Sequence, residues 1–194
     1  MTLWEHLLTI TRRMLREPRE AAAELIGLEF RLDVLLSAFI AMIAVSIIAT
    51  EPLLKATAQL FPAEPLPPLL RAIGSAFGGL AIVWVLWKAG GRIGGRATFD
   101  QILLGFVLLE VVFIVGIVGL LLLIVAVPTL AGIIALAFVF YWVWMMCNVI
   151  AELHGFPSAW KALGLIVVSW VVVNYASILV LDLLSNLVGG PSNV

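Results

Sequence analysis

From Val111 to Ala151 the chain runs for 41 residues without an Asp, Glu, Lys or Arg. As a single helix rising ~1.5 Å per residue, that run would be about 60 Å long, roughly twice the ~30 Å hydrocarbon core of a bilayer. It must therefore turn, and Pro128 marks the place, because proline fits the first turn of a helix and breaks its interior. The wider composition agrees with a lipid solvent: 63% of the residues are hydrophobic and 12% charged, where soluble domains carry roughly a quarter charged. A net charge of -1 lacks the basic excess of a nucleic-acid binder, so no nucleic-acid partner is expected.

The same ruler divides the rest of the chain. Spans are expected at 34–50, between Asp33 and Glu51, and at 69–87, with Arg71 snorkelling. The charge-free run supplies spans at 101–127 and 129–151, and the last is expected at 162–181, between Lys161 and Asp182. The expected fold class is all-α, a polytopic membrane bundle of five transmembrane helices over residues 34–181, followed by a short external tail at 182–194. No secretory signal is expected, because the first apolar run begins only at Val34, behind a mixed-charge segment.

Residues 1–33 read as a separate cytoplasmic segment of amphipathic helices. Trp4, Leu7, Leu8, Thr11, Met14 and Leu15 recur at helical spacing with charges between them, and Pro18 opens a second helix. Orientation follows from the basic residues, which favour the cytoplasmic side. With five spans, Arg12, Arg13, Arg16, Arg19, Arg31, Lys88, Arg92, Arg96 and Lys161 share one side, leaving Lys55 and Arg71 for the other. The N-terminus is expected in the cytoplasm and the C-terminus outside.

Glu110 is the acidic residue set well inside an apolar span. About 14 Å from Gln101 by helical rise, a lone carboxylate is costly unless it is paired or neutral, so it should face inward. Counting depth along the neighbouring spans brings Tyr141, Asn174 and Tyr175 to a similar layer, and the four form a candidate intramembrane polar cluster. It serves either as interhelical glue or as a proton or ion relay. Overlapping small pairs, Gly74 with Gly78 and Ser75 with Gly79, are expected to seat the second span inside the bundle. On the cytoplasmic side Arg12, Arg13, Arg16, Arg92, Arg96, His154 and Lys161 are candidate contacts for lipid headgroups or a partner.

Enzymatic signatures are missing from the pattern. The Gly-rich loop Lys88 to Arg96 lacks the spacing and the terminal Lys-Ser/Thr of a phosphate loop, so no nucleotide is expected. His6 and His154 lie far apart, Cys147 is the single cysteine, and neither a metal site nor another cofactor is expected. No nucleophile elbow or zinc-protease helix occurs.

Several segments taken together resemble the Ypt-interacting protein (Yip) domain family, in its small bacterial form. They are Leu15-Arg-Glu-Pro18-Arg-Glu-Ala-Ala-Ala-Glu-Leu-Ile26, Gly94-Gly-Arg-Ala-Thr-Phe-Asp-Gln101, the Pro128 turn, and Ala151-Glu-Leu-His-Gly-Phe156 followed by Ser158 and Lys161. The resemblance implies a five-span bundle with the N-terminus inside, and it carries no catalytic residues. Eukaryotic relatives resemble trafficking factors that bind prenylated Rab GTPases. A bacterial member has no Rab system, so that partner is not carried over. The expectation is a non-enzymatic protein of the bacterial inner membrane that acts as an interaction or membrane-organising factor, with the lipid bilayer and possible homo- or hetero-oligomers as partners. The alternative is a small-solute or ion transporter using Glu110, against which the lack of an internal repeat counts.

Overall fold

The computed structural model describes residues 3–57 and 67–188, all of them helical or in short connections. Seven helices follow in order: α1 Leu3–Met14, α2 Pro18–Ile26, α3 Leu32–Thr57, α4 Pro68–Arg92, α5 Phe99–Ala126, α6 Pro128–His154 and α7 Ala159–Val188. Five of these, α3 to α7, are long and apolar enough to cross a membrane. The Pro-rich stretch after Phe61 falls almost entirely outside the described residues, as does the tail beyond Val188.

Local chemistry accounts for most of the boundaries. α5 begins with a capping box: the Thr98 hydroxyl accepts from the Gln101 N–H (3.3 Å) and the Gln101 side chain accepts from the Thr98 N–H (3.0 Å). These bonds satisfy donors that a helix start otherwise leaves open. Val127 alone separates α5 from α6, and Pro128 opens α6 as its first residue. Gly155 ends α6 at φ +68, a left-handed conformation that glycine adopts without a Cβ penalty.

The ends of α3 and α7 depart furthest from the expected spans. α3 continues past Thr50 through Glu51 and Pro52 to Thr57, and on this extension Glu51 forms an ion pair with Arg71 of α4, with Lys55 at 3.6 Å. A charge that looked like the edge of a span, and an arginine expected to snorkel, are each other's partners. At the far end, α7 runs on through Asp182 to Val188, so the expected tail starts as helix.

α5 is the centre of the packing. Ile102, Leu103, Leu104, Val107, Leu108, Leu109 and Val112 are buried along it, and it touches α3, α4 and α6, while α7 packs on α4 and α6. Gly105 allows α6 to approach: a Cβ there would lie 3.0 Å from Leu153. The N-terminal hairpin is part of this core. α2 packs against α6 and α5, and α1 against α2 and α5. Ile10, Met14, Ala21, Ala22 and Leu25 are fully buried, as the amphipathic spacing requires. Two polar bonds tie the hairpin to α6: the Arg19 guanidinium donates to Asn148 (3.1 Å) and the Tyr141 hydroxyl donates to the Leu15 carbonyl.

Overpacking the α2 contact should therefore loosen the hairpin. Ala22→Leu is expected to cost about 1–3 kcal/mol, seen as a lower thermal midpoint in detergent and faster proteolysis between residues 1 and 31. An unchanged cleavage rate would mean that α2 does not depend on this contact.

Candidate intramembrane polar cleft

Glu110 lies 11 residues into α5, about 17 Å along the helix. It is half-buried, and the Ser46 hydroxyl of α3 faces it. On its other side opens a cleft of about 390 Å³ between α4, α5 and α7. Glu110, Ser75, Asn174 and Ser177 supply its polar groups, and Gly74 and Gly78 supply bare backbone. Asn174 donates to the Trp170 carbonyl and Ser177 to the Val173 carbonyl, each at 2.8 Å. The Ser177 donor and one of the two Asn174 amide donors are thereby used within α7, and the other Asn174 N–H and its amide oxygen remain.

The small residues of α4 divide their work. Gly79 seats α4 against α3, since a Cβ there would lie 2.8 Å from the Phe39 ring. Gly74 and Gly78 have nothing within 4 Å of where a Cβ would be. The expectation that both pairs seat α4 inside the bundle is corrected for that pair: it borders open space.

Of the four residues expected in one layer, Glu110 and Asn174 share the cleft. Tyr141 and Tyr175 do not. Tyr141 is on the face of α6 turned toward the hairpin, where it bonds Leu15 and packs against Trp144 at 5.7 Å. Tyr175 is 64% exposed on the lipid-facing side of α7. Depth along a helix says nothing about azimuth, and one residue turns a side chain by ~100° at 3.6 residues per turn. The contribution of Ser46 and Ser177 was missed for the same reason. A serine is too common in membrane helices to stand out without a partner.

The expected headgroup contacts on the N-terminal face also separate. Arg13 is held by Glu24, Glu17 (3.2 Å) and Glu20 (3.6 Å), and the hydrogen bonds to Glu24 and Glu17 raise its pKa above the ordinary arginine value. Arg12, Arg16, Arg92 and Arg96 are exposed. Lys161 donates to the Ile93 carbonyl (2.8 Å) and lies over the Phe156 ring (4.4 Å), joining the two loops of this face.

His154 is the correction in this group. It is 1% exposed, stacked on Phe156 at 5.0 Å, and neither ring nitrogen meets a partner at hydrogen-bonding geometry among the described residues, although the Leu86 carbonyl faces it. Gly90 and Gly95 make room for the ring, since a Cβ at either would run into it. The Arg96 N–H donates to the His154 carbonyl (3.1 Å). The glycine-rich loop is thus a socket for a buried imidazole, which removes His154 from the surface that lipid or a partner could touch. Among the described residues no group of three His, Cys, Asp or Glu side chains is placed to hold a metal ion.

The order of these pieces, from the basic hairpin to the paired loops and the last span, matches a known domain. The Yip1 domain profile matches residues 12–181. This chain belongs to the Yip1 domain family. The matched region takes in the end of α1, the Glu110 cleft and the His154 socket of this Yip1 domain. No curated protein and no solved structure matches the chain.

The socket makes a specific demand on residue 90. Gly90→Ala should destabilise the protein by about 1–3 kcal/mol through overpacking, and His154→Ala in the same chain should recover part of that loss. Thermal unfolding of the two single variants and the double variant gives the coupling directly; strict additivity would show that the two residues do not meet.

Proposed function

We propose that this Yip1-domain protein is a non-enzymatic membrane-organising factor, of the small bacterial form, that works by associating with another transmembrane helix at the Glu110 cleft. The observation that carries the reading is the open stripe of Gly74 and Gly78 beside Glu110, Asn174 and Ser177. In lipid, helices associate through close backbone approach at small residues and through interhelical hydrogen bonds, and both elements meet here. A carboxyl facing hydrocarbon is costly, so a helix presenting a polar group to Glu110 would stabilise both partners. The location proposed is the bacterial cytoplasmic membrane. Nine of the eleven basic residues lie on the N-terminal side, which supports an N-terminus in the cytoplasm and a C-terminus outside.

The cleft also favours a second reading, a transporter of a small solute or ion in which Glu110 exchanges a proton or cation. That reading needs the cleft to be wet, whereas the first needs it closed by protein.

One set of single-cysteine proteins separates them, with Cys147→Ser as background. In native membranes, Ser75→Cys should crosslink to a second membrane protein or a second copy, Gly78→Leu should abolish the adduct by filling the cleft, and Glu110→Gln should largely preserve it. Absence of any adduct, together with ready modification of Asn174→Cys by a membrane-impermeant maleimide, would overturn the association reading in favour of transport.

A further inference from the structure

Away from the Glu110 cleft, the N-terminal hairpin creates a second feature with a different chemistry. An apolar groove of about 410 Å³ runs between α1, α3 and α5, walled by Leu7 and Leu8 of α1, Ala38 and Ala41 of α3, and Leu104 and Val111 of α5. At the other end of α1, Arg12 and Arg16 border a wider cleft of about 770 Å³ near the α1–α2 turn. Leu8 and Arg12 are one helical turn apart on α1, which sets Arg12 at the edge of the groove beside Leu8.

The turn is fixed by the bond from Tyr141 of α6 to the Leu15 carbonyl. Arg13 is matched by three carboxylates. Arg12 and Arg16 have no ion-pair partner among the described residues. Exposed, unpaired guanidinium groups one helical turn from an apolar groove, on a chain with five helices apolar enough to cross a membrane, are suited to a lipid phosphate.

We propose that the α1–α2 hairpin forms a binding site for an anionic glycerophospholipid of the leaflet on the N-terminal face, with its phosphate on Arg12 and Arg16 and an acyl chain in the groove beside Leu8. Charge and apolar surface are both needed to recognise it: a free phosphate has nothing to place in the groove, and a zwitterionic lipid brings no net charge to the arginines. The site is independent of the association proposed at Glu110.

The test uses the full-length protein in detergent, with lipid retention measured by native mass spectrometry against mixtures of phosphatidylglycerol and phosphatidylcholine. Phosphatidylglycerol should be retained preferentially, with each of Arg12→Gln and Arg16→Gln lowering the preference about fivefold. Ala41→Phe, at an exposed groove position, should lower retention of both lipids without changing the unfolding midpoint. Arg92→Gln with Arg96→Gln, on the other loop of the same face, should leave the preference intact. The proposal fails if the two lipids are retained equally, if the Arg92 and Arg96 changes match those at Arg12 and Arg16, or if soluble glycerol phosphate displaces the lipid as well as phosphatidylglycerol does.

Discussion

Hydrocarbon offers no hydrogen bonds, and that constraint orders the whole molecule. Every backbone donor and acceptor in the spans must be satisfied inside its own helix, so the long apolar segments have a single solution available to them. Side-chain polarity is then the scarce resource. Several polar groups that enter the bundle have a partner on a neighbouring element: Glu51 with Arg71, Arg19 with Asn148, Tyr141 with the Leu15 carbonyl. These links join α3 to α4, and the hairpin to α6 twice. They specify which helices are neighbours in a core whose apolar residues would accept many arrangements.

Viewed in this way, the departures from full matching locate the regions of interest. Asn174 and Ser177 bond only to their own helix, and Gly74 and Gly78 face open space across from them. Arg12 and Arg16 remain exposed where Arg13 is matched three times over. His154 is a different case, since its polar nitrogens are buried and its ring is held by shape, between two glycines and Phe156. There the loop glycines and the imidazole define each other, which makes the socket a structural joint between the two loops of the N-terminal face.

How much of this could be read from the residues depends on which coordinate of a helix is in question. Length and the absence of charge are properties of position along an axis, so the five spans and the Pro128 turn were legible. Azimuth and pairing were not. Tyr141 and Asn174 have comparable depths, yet one faces the hairpin and the other the cleft. The same limitation misplaced the end of α3: Glu51 alone reads as a boundary, and its ion pair with Arg71 of α4 is long-range and carries no local signal. His154 read as a loop residue because the spacing that buries it, from Gly90 and Gly95 to 154, is long-range and carries no local periodicity.

α3 and α5 carry both regions on different faces. Ile43 and Ser46 of α3 with Phe106 and Glu110 of α5 look toward the cleft or its floor, while Ala38 and Ala41 with Leu104 and Val111 look toward the groove under α1. Between them lies the tightest part of this interface, where Phe39 meets Phe106 at 6.0 Å and closes onto Gly79 of α4. Coupling two sites through such a wall requires an element with two discrete arrangements that both occupants bias. A close-packed aromatic pair seated on a glycine offers little room for a second arrangement. A lipid in the groove and a helix in the cleft would therefore act on this bundle as separate ligands, each recognising one face of the same rigid pair of helices.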